Sequence, residues 1–129
     1  MHIAFEKSGG LVPAIVQDDR TGAVLMLGFM NAEALAETQR TREAVFFSRS
    51  RKRLWKKGES SGHALRVLEM RIDCDADALL LRVEPRGLGV CHEGYRGCFF
   101  RKIEEDGSLR IVEKRTFDPG KVYAPGAER

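Results

Sequence analysis

The sequence predicts an α+β fold, mainly antiparallel β with one clear helix, in a small single domain. Three observations carry this. Short apolar runs of strand length recur along the chain, each bounded by turn residues. One stretch, 32–40, has helical spacing behind a good cap, Asn31. Glu105-Asp106-Gly107 separates two strand-like runs, a hairpin signal. At 129 residues the chain is one domain by length, and its apolar share of 43% and charged share of 32% are those of an ordinary globular protein.

Residues 11–17 read as a strand, and Pro13, which has no amide hydrogen for a ladder, argues that it lies at a sheet edge. Residues 18–22 are a turn by composition. Residues 23–30 form an apolar run short enough for a buried strand. In the helix over 32–40, Ala32, Leu35 and Ala36 share a face. Residues 44–48 read as a strand, and 49–63 as a polar, basic loop. From Leu65 strand character resumes, but Leu65 and Val67 point one way while Leu68, Met70 and Ile72 have the opposite parity. That phase change predicts a bulge near Val67-Leu68. Residues 78–83 are a strand, 99–104 and 108–112 flank the hairpin turn, and 118–129, with two prolines and two glycines, read as a loose tail.

The chemistry concentrates in two segments, Asp73-Cys74-Asp75-Ala76-Asp77 and Cys91-His92-Glu93-Gly94-Tyr95-Arg96-Gly97-Cys98, which hold the chain's three cysteines. Three thiolates can grip a zinc ion and leave a fourth position open, the arrangement of a catalytic site. Asp73, Asp75 and Asp77 offer hard oxygens to magnesium. In extended chain these aspartates would line one side and Cys74 the other, so one segment would serve two ions. The blander readings are a solvated turn and small buried thiols. The first, third, fifth and twelfth places of a calcium loop are also filled, by Asp73, Asp75, Asp77 and Glu84. Ala78 stands where that loop needs glycine and the flanks are strands, which rejects it. Cys91 and Cys98 are too widely spaced for a zinc knuckle, yet Gly94 and Gly97 let the chain between them fold back. His92 is placed to ligate, orient water or move a proton.

The basic segment interleaves Arg49, Arg51, Trp55 and Lys57 with Ser60, Ser61 and His63. Guanidinium forks match phosphate oxygens, and small residues let backbone amides approach them. A net charge of +3 is modest, so a small phosphorylated ligand suits this segment better than a nucleic acid. The sequence shows neither a signal-peptide pattern nor an apolar run long enough to span a bilayer, and the expected location is cytoplasmic with reduced thiols.

From about residue 10 to about residue 102 the chain resembles the phosphoribosyl-AMP cyclohydrolases of histidine biosynthesis. The resemblance is carried by Leu25-Met26-Leu27-Gly28-Phe29-Met30-Asn31, Ser48-Arg49-Ser50-Arg51, the run from Leu54 to His63, Asp73 to Leu79, and Cys91-His92 through Cys98-Phe99. It implies an intertwined homodimer in which zinc is held by Cys91 and Cys98 of one chain and Cys74 of the other. It also implies magnesium on Asp73, Asp75 and Asp77 and a catalytic role for His92; His63 is the second candidate for proton transfer. Arg49, Arg51, Trp55, Lys57, Ser60, Ser61 and Arg96 are then the candidates for substrate contact. Glu93-Gly94-Tyr95 departs from the family's more usual Thr-Gly-Arg, and Gly28-Phe29 stands where Ala-Tyr is common.

The implied reaction is hydrolytic opening of the adenine ring at C6–N1 by zinc-activated water. One rival is a purine deaminase-like zinc hydrolase, whose H-x-E and P-C-x-x-C pattern neither His63-Ala64-Leu65 nor the Cys91/Cys98 spacing meets. The other is a zinc-stabilised nucleic-acid-binding module, which would show salt-sensitive binding and no ring opening.

Overall fold

The computed structural model describes residues 2–59 and 61–122. Among these residues, after a 3-10 turn at Phe5–Ser8, eight strands and two α-helices follow in the order β1 (Val12–Asp18), β2 (Val24–Met30), α1 (Ala32–Thr41), β3 (Val45–Ser48), β4 (Arg53–Lys56), β5 (Leu65–Ile72), β6 (Leu79–Pro85), β7 (Arg101–Ile103), β8 (Leu109–Ile111) and α2 (Pro119–Val122). Strands β2-β1-β6-β5, in that order, make the main sheet, while β3-β4 and β7-β8 are separate hairpins. The expected α+β class is correct. Most pairings are antiparallel, but β1 and β6 run parallel. Among the described residues no helix is long and apolar enough to cross a membrane.

The edge position expected of β1 is wrong: it lies inside the sheet, between β2 and β6. Pro13 is tolerated because it faces Phe29 on the β2 side, while pairing with β6 begins only at Ala14. Burial alternates along β1 and β6, and Val12, Ala14, Val16, Leu79, Leu81 and Val83 feed one core. In β5 the register shifts between Val67 and Glu69, where the bulge was expected. Leu68 is left exposed, and Met70 and Ile72 return to pack against the core.

Asn31 caps α1 by accepting the Ala34 N–H at 2.8 Å. The buried face of the helix is Ala34, Leu35 and Thr38, rather than Ala32, Leu35 and Ala36. Thr38 explains the rotation. Its hydroxyl accepts the Val45 N–H at 3.0 Å and donates to the Ala34 carbonyl at 2.9 Å, locking the helix to β3. The following hairpin lies close over β2. Phe46 packs so near Gly28 that a methyl group at position 28 would come within 2.5 Å of its ring. An alanine there would force the ring to move, so the glycine that departs from the family pattern is what admits Phe46.

The basic segment is less of a loop than its composition implies, because Arg53–Lys56 pairs with β3. Trp55 stands opposite Phe46 with ring centroids 5.3 Å apart, and this apolar pair outweighs the surrounding cations. Ahead of the tail Phe117 is buried, and within its first part Pro119–Val122 form a single helical turn. Residues 123–129 lie outside the described residues.

Candidate active site

The segment containing Cys91 and Cys98 folds back as its glycines allow. The Val90 and Cys91 N–H groups donate to the carbonyls of Arg96 and Tyr95 at 2.9 and 3.1 Å, so the two limbs of the loop run alongside each other. Gly94 at the tip has φ 98, and a Cβ there would meet the Phe117 carbonyl at 2.6 Å. Tyr95 is buried and stacks on Phe100 at 3.8 Å. The Cys98 N–H donates to the Leu25 carbonyl at 2.6 Å, tying the second limb to β2.

This arrangement brings Cys91 and Cys98 within hydrogen-bonding reach of each other. The bond from Cys98 lowers the Cys91 thiol to about 6; burial opposes this, while the Glu93 N–H and nearby His92 assist it. Cys91 is buried, Cys98 is half-buried, and His92 beside them is exposed. Such a pair, partly ionised at neutral pH, has the chemistry of two zinc ligands. Among the described residues no third histidine, cysteine or carboxylate closes a metal-sized cluster with them. Cys74 is exposed.

The aspartates do come together, but not in the extended geometry expected. Residues 73–78 form a tight turn in which Asp73 Oδ1 accepts the N–H groups of Asp77 and Ala78 at 3.0 and 3.1 Å, and Ala76 sits at φ 62. A strand would spread alternate side chains along its face; the turn gathers oxygens of Asp73, Asp75 and Asp77 within 4.8 Å of one another. A hydrogen bond between Asp75 and Asp77 holds the first carboxyl below its ordinary range and the second above it. Lys7 lies 3.5–3.6 Å from oxygens of Asp75 and Asp77. This crowded oxygen set matches the donor preference of a hard divalent cation.

A pocket of about 570 Å³ lies between β2 and the β3–β4 hairpin. Cys98, Arg49 and Trp55 line it with Ser48, Ser50 and Phe29. The Arg49 guanidinium sits 4.0 Å above the Phe29 ring, which orients it along the wall. Phe29, Ser48 and Ser50 stand in stretches that carry the family resemblance but were not among the expected substrate contacts. Phe29 alternates with buried Met30 along β2, and that parity was the available signal.

The other candidates lie elsewhere. His63 is buried with its ring edge-on to Phe117 at 4.7 Å, and Ser61 Oγ accepts its backbone N–H. Lys57 is buried, its ammonium 5.8 Å from the Trp55 ring. The Arg51 N–H donates to Ser48 Oγ at 3.2 Å, in the turn beside the pocket. Arg96 faces a different pocket, of about 340 Å³, where it pairs with Asp18 at 2.7 Å. Ser60 lies outside the described residues.

Fold and site together define a small α+β domain with a thiol pair, one member of which lines a pocket beside Arg49, and a separate oxygen cluster. The family model for phosphoribosyl-AMP cyclohydrolase matches residues 26–100. A phosphoribosyl-AMP cyclohydrolase of Solibacter usitatus is 54% identical over 123 residues, covering 95% of this chain and 97% of that protein. That of Nitratidesulfovibrio vulgaris is 56% identical over 92% of this chain and 94% of its own, and that of Desulforapulum autotrophicum 52% over 95% and 98%. The chain belongs to the phosphoribosyl-AMP cyclohydrolase family.

Proposed function

We propose that this chain opens the adenine ring of phosphoribosyl-AMP by hydrolysis, a step of histidine biosynthesis. The observation that carries the reading is the Cys91–Cys98 pair, whose second sulfur lines the same pocket as Arg49 and Trp55. Family membership supplies the substrate class. In the reaction the oxygen of water bonds to C6, the C6–N1 bond breaks, and a proton ends on N1.

The donor sets suit two different ions: two sulfurs for zinc, three carboxylates for magnesium. Zinc held at Cys91 and Cys98 supplies Lewis acidity that makes water nucleophilic near neutral pH. The protein does the rest. Arg49 and Arg51, with Ser48 and Ser50, bind phosphate at the hairpin turn, and Phe29 and Trp55 give the purine apolar walls. His92, exposed beside the sulfurs, moves the proton; His63, enclosed against Phe117, holds the loop around Gly87.

A third sulfur comes from Cys74 of a second copy. In support of a dimer, Ile103, Leu109 and Ile111 share one face of the β7–β8 hairpin, and Ile103 is 73% exposed. A lone two-stranded hairpin is marginal in water, so an apolar face of this kind calls for a covering surface.

The test is a spectrophotometric assay with phosphoribosyl-AMP, with and without chelator. Turnover that stops on chelation and returns with zinc is expected; undiminished turnover in metal-free protein would overturn the zinc reading. Mixing Cys74→Ala with Cys91→Ala protein should restore about a quarter of wild-type activity, since half the dimers are hybrids with one intact site. No restoration would overturn the shared site.

A further inference from the structure

Asp18 is the only buried carboxylate among the described residues, at 1% exposure. A carboxylate is not buried without partners. Its Oδ1 accepts the N–H groups of Arg20 at 2.9 Å and Thr21 at 3.4 Å, and its Oδ2 accepts from Arg96 Nη2 at 2.7 Å. Burial pushes its carboxyl up, but Arg96 and the two amides together hold it below the ordinary range, so the group is ionised. Asp18 ends β1, a strand paired on both sides, and its own N–H donates to the Ala23 carbonyl at 2.8 Å. It is therefore a fixed charge on the rigid part of the fold.

Its partner is not rigid by itself. Arg96 stands two residues before Cys98, on the second limb of the sulfur loop, and its carbonyl receives the Val90 N–H at 2.9 Å from the first limb. We propose that Asp18 is a positioning residue: by holding the Arg96 guanidinium it fixes the second limb against the sheet and keeps Cys98 in register with Cys91. The inference deepens the proposed function and rests on its zinc reading. Arg96 is thereby assigned to the loop's anchorage and not to substrate, in line with its place outside the pocket that Cys98 lines. The backbone bond from Cys98 to Leu25 holds the same limb at one point; the Arg96–Asp18 pair adds the second, and two points fix a direction where one leaves a pivot. Zinc–sulfur bonds of about 2.3 Å tolerate only a few tenths of an ångström, so a pivoting limb weakens the ion's hold.

Three variants test this: Asp18→Asn, Arg96→Met and the double. Each is checked for folding by circular dichroism, titrated with zinc against a chromophoric chelator, and loaded with cobalt(II) for its visible spectrum. Zinc affinity is expected to fall about tenfold in either single variant, as for other residues that support a ligand indirectly. The double should be no worse than the singles, because both remove one contact. The cobalt bands should lose intensity as the tetrahedral geometry loosens. A pair that only stabilises the fold would lower Tm and leave zinc affinity and the cobalt spectrum unchanged; that outcome, or additive losses, overturns the proposal. If Asp18→Asn does not fold, Arg96→Met decides: it removes the guanidinium that reaches Asp18, and zinc affinity equal to wild type would overturn the anchoring role. Wild-type protein that takes up no zinc would instead sink the zinc reading itself.

Discussion

The turn at Asp73–Asp77 and the loop from Cys91 to Cys98 both gather candidate metal donors, and they do so by opposite means. The acidic turn is local and exposed, its conformation set by Asp73 bonding backbone amides four and five residues on. The sulfur loop is only partly exposed, with Cys91 and Tyr95 buried, and is held from outside by Leu25, Asp18, Phe100 and the 115–117 segment. Like charges repel where water screens them least, so three carboxylates are tolerable at a surface. Thiols gain from burial, and their ionisation is set by whatever the fold places beside them. The difference teaches that the oxygen cluster is shaped mainly by a six-residue turn, with Ala4 and Lys7 bonded to it, and the sulfur pair by the whole domain.

The sharpest way to break this comparison is to remove one donor from each region. Cys91→Ser is expected to lower zinc affinity and turnover by more than about 100-fold, read by metal analysis and the ring-opening assay. Asp75→Asn should weaken magnesium binding by about tenfold in a calorimetric titration, leave zinc content intact and change stability by less than about 0.5 kcal/mol. Zinc loss in the second variant would show that the regions are not independent.

Backbone variants sharpen the same contrast. Gly94→Ala puts a methyl group against the Phe117 carbonyl at a positive φ, and should cost about 2–3 kcal/mol in denaturant unfolding. Ala76→Gly relieves a left-handed residue in an open turn and should raise stability by up to about 1 kcal/mol. A neutral Gly94→Ala would mean the sulfur loop is not braced from outside.

The smallest effect is a titration. In metal-free protein the thiolate absorbance of Cys91 should rise as pH passes about 6, well below an ordinary thiol. Because that pKa is depressed on folding, the stability it contributes is complete only above the unfolded thiol's pKa and is gone once pH falls below about 6. Cys98→Ala removes the bond responsible and should move the rise toward the ordinary value.

Much of the fold was legible because its signals are local. The Asn31 cap, the bulge after Val67 and the Glu105-Asp106-Gly107 turn each depend on a few neighbouring residues. Pro13 misled because a proline constrains only its own amide, and Pro13 lies one residue before pairing with β6 begins at Ala14. The helix face was misread because Thr38, a polar residue, is buried by its bonds to β3 rather than by hydrophobicity. The aspartates were correctly grouped but wrongly shaped, since strand alternation was assumed where side-chain-to-backbone bonds make a turn.

Sequence alone determined the kinds of donor, their segments and the family, because chemical identity and short-range spacing are written residue by residue. Which donors meet was decided only in three dimensions. Arg96 turns to Asp18 and Arg49 lies over Phe29 through contacts between residues far apart in the chain, and Cys91 and Cys98 face each other across a loop that such contacts brace. Such contacts form when burial of the common core outweighs chain entropy, and no single segment contains that balance.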